Sequence, residues 1–135
     1  MTRSYNLSPR CTVAVLAVVV LVCLSALLDA QVPEADSGWK APPREASRSN
    51  PLASRPDAAA GGAKLFQQRC VSCHGADGRG SSKGPDLTRP SVQAQTDGSL
   101  FWKISTGNSR SGMPAFSFLP PLQRWQLVLH LRAAR

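Results

Sequence analysis

The chain has 135 residues, a formal net charge of +8, four cysteines, eleven prolines and ten glycines. A chain of this length holds one ordinary domain at most. Only residues 57–135 have the composition of a globular domain, which excludes a multidomain enzyme and a large α/β catalytic fold. A domain that short buries only about 60% of its unfolded surface and usually needs a metal, a disulfide or a cofactor to be stable.

The first 30 residues have the order of an export segment. Arg3 and Arg10 precede an uncharged apolar run over 12–28, and a small residue follows at Ala30. Cleavage after Ala30 would release the rest of the chain. Retention would leave an N-terminal membrane anchor, because the 17 residues of the run reach the lower end of the range for a spanning helix. Either outcome predicts export to the periplasm, as a soluble protein or tethered to the inner membrane.

Residues 31–56 are rich in Pro, Ser, Ala and Arg and carry no periodic apolar pattern. Five prolines in this stretch exclude long helices. We therefore expect an extended linker that leads into a domain over 57–135.

The domain begins with a predicted helix over 58–69, with Asp57 as its N-cap and an apolar side that includes Phe66. Gly61 and Gly62 weaken such a helix, which indicates that another backbone approaches closely there. The next stretch, 75–90, contains four glycines and two prolines and is predicted to be a loop.

A second helix is predicted from Asp97, as N-cap, to about Gly107, followed by a loop over 107–120. Pro120 and Pro121 suit the first turn of a last helix. The pattern predicts a small all-α domain of about three main helices. Loops this long in so small a domain need something to organise them.

The pentapeptide Cys70-Val71-Ser72-Cys73-His74 follows the first predicted helix. This spacing of two thiols and an adjacent histidine is the attachment pattern for a c-type haem, in which each thiol forms a thioether with a porphyrin vinyl group and the histidine ligates iron. A disulfide or redox pair is an alternative in an oxidising compartment. Zinc would need a fourth ligand, and the exported part offers only the distant His130. The motif therefore favours one haem c, covalently attached through Cys70 and Cys73, with its iron.

From this motif onward the sequence resembles the class I c-type cytochromes, and the resemblance covers residues 57–135. Gly62 and Phe66 stand where the family places the glycine and the aromatic residue that cross the C-terminal helix. The loop at 74–80 and the segment at 84–87 also resemble family landmarks, and 125–132 resembles the terminal helix. One departure is His130, where the family usually has an aromatic residue. The stretch 39–51 is similar to the approach to the haem domain in some bacterial members.

The resemblance implies further site residues. Met113, in Gly112-Met113-Pro114, matches the second iron ligand, and a His74/Met113 pair raises the reduction potential and fills the sixth iron position. Pro85 matches the residue whose carbonyl receives the proximal histidine N–H and so orients the ring. Trp102 is a candidate donor to a haem propionate, with half-buried packing as the alternative.

These residues predict a one-electron carrier that is not itself an enzyme. The alternatives are a haem-based enzyme or gas sensor with a labile sixth ligand, and an electron-transfer subunit of a dehydrogenase or oxidase complex. Residues 57–135 contain ten Lys and Arg against four Asp and no Glu. That excess favours redox partners with acidic docking surfaces. Membrane association is expected through residues 12–28, and export disfavours nucleic acid as a partner.

Overall fold

The computed structural model describes residues 38–133, so the predicted export segment lies outside the described residues. Within 38–133 no strand is formed, and none of the helices there has both the length and the apolar character needed to cross a membrane. Six α-helices follow in chain order. They are α1 (Pro43–Ala46), α2 (Ala59–Arg69), α3 (Val71–His74), α4 (Pro90–Gln93), α5 (Asp97–Thr106) and α6 (Pro121–Ala133). Three of them, α2, α5 and α6, exceed two turns, which confirms the predicted all-α class.

Helices α2 and α6 pack directly against each other. At the contact, a Cβ placed on Gly62 would lie 2.0 Å from the carbonyl oxygen of Gln126. Only a residue without a side chain allows the two backbones to come this close. The close approach expected at Gly62 is thus confirmed, and it fixes where α2 crosses α6.

The core lies between these helices and α5. Phe101 stacks on Trp125 with ring centroids 4.0 Å apart, and Phe66 and Val128 are fully buried. The other buried apolar residues come from α5, α6 and the loop between them: Leu100, Ile104, Phe116, Leu119, Leu127 and Leu131.

The N-terminal segment, residues 38–56, differs from the expected linker. Residues 38–56 belong to the same compact unit as the helices that follow, and α1 packs against α5. Buried Asn50 donates from Nδ2 to the Trp125 carbonyl at 3.2 Å, and the Thr96 hydroxyl donates to the Ala46 carbonyl at 2.7 Å. The prolines do restrict helix here to one turn, as expected. They do not prevent packing, because an irregular segment can still bury side chains and satisfy distant polar groups.

The helix ends refine two sequence expectations. Thr96, not Asp97, is the N-cap of α5, since its hydroxyl accepts the Ser99 N–H at 3.1 Å. Asp57 does not cap α2. It lies in a 3-10 turn over Pro56–Ala58 and pairs with Arg55 at 3.1 Å. The last helix begins at Pro121, where the missing proline N–H costs no helical hydrogen bond.

Candidate functional site

A cavity of about 360 Å³ opens between the helices and the two long loops. Its volume falls within the range of small-molecule and cofactor sites. Of the six sequence-predicted site residues, five line it: Cys70, Cys73, His74, Pro85 and Met113. Much of the remaining wall is apolar and consists of Phe66, Leu87, Val92, Leu100, Ile104, Phe116, Leu127 and Leu131.

Residues 70–74, here called the attachment turn, include α3 and directly follow α2. The backbone N–H groups of Cys73 and His74 both donate to the Cys70 carbonyl, at 3.1 and 2.9 Å. Helical spacing puts residues i, i+3 and i+4 on one face, so the two thiols and the imidazole lie side by side. Both thiols are free and half-buried.

The Cys70 thiol has the environment of an unreactive cysteine. Burial raises the pKa of the Cys70 thiol to about 11, and the neighbouring Cys73 adds to the rise. Redox-active pairs have a lowered thiol pKa, set by nearby positive charge or a helix N-terminus. This environment therefore counts against the dithiol redox alternative.

The glycine-rich loop folds back onto the attachment turn. The His74 Nδ1 atom lies 2.9 Å from the Pro85 carbonyl oxygen. Because a carbonyl can only accept, Nδ1 carries the proton, and the lone pair of the neutral ring is left on Nε2. Gly80 has φ +88°, and a Cβ there would lie 2.7 Å from the Asp86 nitrogen. Glycine at this position therefore lets the loop bring Pro85 to the histidine.

Residues 107–116, here called the methionine loop, hold Met113 by main-chain contacts. Asn108 and Met113 exchange two backbone hydrogen bonds, at 2.8 and 3.0 Å. Gly107 has φ +64°, and a Cβ on it would meet the Pro114 carbonyl carbon at 2.5 Å. The Phe116 N–H donates to the Ile104 carbonyl at 3.0 Å, which ties the end of the loop to α5.

Trp102, the sixth predicted site residue, is not on the cavity. The cavity-lining side chains of α5 are Leu100, Lys103 and Ile104. They share one helix face at spacings of three and four, and a residue two positions after Leu100 projects from the other side. Trp102 is half-buried away from that face.

Sequence reasoning missed Trp39 as a site residue. It lines the cavity from the N-terminal segment, and its buried Nε1 has no hydrogen-bond partner among residues 38–133. The other such side-chain atom in that range, Oε1 of Gln95, belongs to a second cavity-lining residue. The signals in the sequence were an aromatic residue in a proline-rich stretch and the similarity of 39–51 to the approach to the haem domain in some bacterial members.

The charges on the cavity wall have one sign. Arg69, Lys83 and Lys103 line it, and none of the described lining residues is Asp or Glu. An apolar cavity with two thiols, an imidazole, a thioether and positive charge at its wall fits a haem, which is apolar over its ring and carries two carboxylates.

His130 lies elsewhere. Its ring packs on Phe66 at 5.0 Å between centroids and lines a second cavity of about 120 Å³, together with Asp77. Burial lowers the pKa of His130. It occupies the position at the helix crossing where the resembled family usually has an aromatic side chain.

Comparison with known proteins agrees with this geometry. The model of the family described as "Cytochrome C oxidase, cbb3-type, subunit III" matches residues 57–131, more than half of the chain. Searches of curated proteins and of solved structures gave no match. Domains of this kind are monohaem c-type cytochromes with covalently bound haem c and its iron. The chain therefore belongs to this family and is a class I c-type cytochrome.

Proposed function

We propose that the protein is a one-electron carrier in which Cys70 and Cys73 form the two thioethers and His74 and Met113 are the iron ligands. When bound, haem iron supplies reversible one-electron exchange. One observation carries the proposal: a single cavity collects both thiols, the imidazole and the only methionine sulfur outside the first residue.

The histidine is oriented for ligation. With Nδ1–H donated to Pro85, the ring cannot rotate without losing that hydrogen bond, and its Nε2 lone pair is the one available to a metal. The same bond makes the imidazole a more basic ligand. Pro85 therefore acts through a backbone carbonyl, which the rigid proline helps to keep in place.

Met113 decides between an electron carrier and the haem enzyme or gas sensor. A thioether on the sixth position favours the ferrous state and competes with external ligands, whereas an enzyme or sensor needs that position free. The paired backbone hydrogen bonds between Asn108 and Met113 hold the residue at the cavity. These contacts favour a fixed sixth ligand and hence electron transfer.

The apolar wall supports the same function. Buried side chains such as Phe66, Leu100 and Leu127 make much of the cavity wall apolar. A hydrophobic shell around a metal site limits solvent access and lowers the local dielectric, both of which affect the reduction potential. We expect little structural change between the two redox states.

The partners are proposed from charge and family. The excess of Lys and Arg over Asp would steer the domain toward an acidic redox protein, with rates that fall as salt rises. The family description favours a second form of the same function, that of a fixed subunit in an oxidase complex. We propose export to the periplasm, with residues 12–28 as a cleaved signal or a retained tether.

The ligand set is tested on the protein produced with cytochrome maturation machinery. We expect haem that survives denaturing electrophoresis, a ferric sulfur-to-iron charge-transfer band at the red end of the spectrum, and no carbon monoxide binding by the reduced protein. Met113→Ala should keep the covalent haem, lose that band and bind carbon monoxide. A wild-type protein that binds carbon monoxide freely would favour the sensor or enzyme instead.

The proposed partners are tested on the protein from its native host. Membrane fractionation followed by co-purification distinguishes the two forms. A soluble monomer that reacts rapidly with an acidic partner at low salt would support a shuttle. Stable co-purification with oxidase subunits would support the fixed subunit.

A further inference from the structure

One wall of the haem cavity is a short stretch with little regular structure of its own. Residues 87–96, here called the wall segment, place the side chains of Leu87, Val92 and Gln95 on the cavity. The segment contains only the one-turn helix α4 and leads into α5. So short a helix is not stable by itself, and its last carbonyl groups have no partner within the helix. The position of this wall therefore depends on contacts with another element.

Arg132, in the last turn of α6, supplies such contacts. Its guanidinium donates to the Gln93 carbonyl at 2.6 Å and to the Gln95 carbonyl, and its Nε donates to a carboxylate oxygen of Asp97 at 2.9 Å. The arginine side chain is only 16% exposed. Ion pairs on an open surface contribute little, whereas hydrogen bonds from a mostly buried guanidinium to several acceptors are strong. A single side chain of α6 thus holds the end of the wall segment and the start of α5.

The side chain of Gln93 adds a second connection. Its amide nitrogen donates to the Leu87 carbonyl at 2.9 Å and to the Leu131 carbonyl at 3.2 Å. The first bond closes the wall segment on itself, and the second joins it to α6. Leu131 also lines the haem cavity and directly precedes Arg132. The bonded positions are therefore the same as, or next to, the positions that form the cavity wall.

We propose that Arg132 is a positioning residue for electron transfer, which holds the wall segment against the haem and thereby keeps the reduction potential high. The proposal rests on the proposed function, because it needs the haem in this cavity. An apolar wall held in place limits solvent access to the haem and lowers the local dielectric. Ferric haem carries one more positive charge than ferrous haem, so a loosened wall that admits water favours the ferric state and lowers the potential. Arg132 acts through the wall segment, since it does not line the cavity itself.

The reduction potential of Arg132→Gln tests the proposal, with Arg124→Gln as the matched control. Arg124 lies on the same helix, is also partly buried, and donates to the Leu119 carbonyl at 3.1 Å and to the Ser105 hydroxyl. Neither of these partners lines the haem cavity. Both changes remove one positive charge and several hydrogen bonds, so both should lower the unfolding temperature. We expect the potential to fall clearly more in Arg132→Gln, and equal changes would overturn the proposal.

The variant Arg132→Lys separates position from charge. Lysine keeps the positive charge but lacks the planar fork of donors with which arginine reaches its three acceptors. We therefore expect a potential below that of the wild type although the net charge is unchanged. A wild-type potential in Arg132→Lys would mean that the charge, rather than the held wall, sets the effect, and the proposal would be wrong.

Hydrogen–deuterium exchange of the haem-loaded protein measures the wall itself. The backbone N–H groups of residues 92–95 donate to carbonyl groups within the wall segment. In Arg132→Gln their exchange should be at least about tenfold faster, the size expected for the loss of one hydrogen bond to a charged group. Arg124→Gln should leave it close to the wild-type rate. Unchanged exchange in Arg132→Gln would overturn the proposal.

The variant Asp97→Asn provides the test if Arg132→Gln fails to mature. It weakens the ion pair and leaves both carbonyl bonds of Arg132 in place, so exchange over 92–95 should be faster than in the wild type by a smaller factor. Wild-type exchange in both Asp97→Asn and Arg132→Lys would count against the proposal. Retained covalent haem and the red-end band report on the proposed function separately, so either idea can fail while the other stands.

Discussion

The attachment turn and the N-terminal segment both contribute to the haem cavity, yet they are held in different ways. In the attachment turn the hydrogen bonds are local. The Cys70 carbonyl accepts from Cys73 and His74 in the same turn, and His74 and Pro85, which are also bonded, are eleven positions apart. In the N-terminal segment the bonds span 75 residues, from Asn50 to Trp125, and 50 residues, from Ala46 to Thr96. A short-range motif can therefore be recognised in the sequence, whereas long-range packing becomes visible only in the folded chain.

The largest effect is expected from removing the two thiols of the attachment turn. Cys70→Ala/Cys73→Ala removes both proposed thioethers and with them the group that fills the cavity between the helices. A domain this small has a hydrophobic core too small to keep it folded without that group, so most of the far-UV helical signal should be lost. Circular dichroism measures this, and Ser82→Ala, at an exposed loop position off the cavity, is the control. Native helicity in the double variant would contradict the prediction.

The next effect should come from separating the N-terminal segment from α5. In Gly98→Ala the new Cβ would lie 2.2 to 2.8 Å from the carbonyl oxygens of Glu45, Ala46 and Arg48. Alanine normally stabilises a helix by about 1 kcal/mol relative to glycine. Here we expect a loss of about 2–4 kcal/mol instead, because three backbone atoms would have to move.

Thermal unfolding of the holoprotein and limited trypsin digestion measure this loss. Cleavage after Arg48 should be faster in Gly98→Ala, whereas Arg55 is protected from trypsin by the proline that follows it. Gly61→Ala is the matched control, since its Cβ would meet only the flexible side chain of Gln126. Equal stability of the two variants would show that the segment is not packed as described.

A smaller effect is expected from Asn50→Ala, which removes the long-range bond without adding a clash. Asn50 is 5% exposed, and its amide donates to the Trp125 carbonyl and accepts from the Leu52 N–H. Loss of both bonds should lower the free energy of unfolding by about 1–3 kcal/mol. Denaturant titration measures it against Ser49→Ala, an exposed neighbour. A change no larger than that of the control would mean that the bond contributes nothing.

The smallest effect concerns His130, which packs on Phe66. Because burial lowers its pKa in the folded state, the unfolded chain binds the proton more readily. Stability should therefore be full above about pH 6.5, the usual histidine value, and should fall as the pH drops below it. Thermal unfolding between pH 5 and 7.5 measures this slope. In His130→Phe, which keeps a ring against Phe66, the slope should become shallower, and an unchanged slope would exclude His130 as its source.

The sequence by itself determined the features that depend on short-range order. Two thiols and an imidazole within five positions, proline at the start of α6 and Gly62 at the helix crossing are all visible as spacings, because helix geometry converts spacing into position. The proximity of Pro85 to His74 was expected from the resemblance to the class I c-type cytochromes, and the fold shows it as the His74–Pro85 contact.

Only the tertiary structure decided which tryptophan lines the cavity and that residues 38–56 pack on the helical domain. The sequence pointed to Trp102 as a site residue and gave no site role to Trp39. The helical phase of α5 turns Trp102 away, and contacts spanning 50 and 75 residues bring the N-terminal segment back onto the domain. Such contacts leave no local pattern, because each depends on the simultaneous position of elements far apart in the chain.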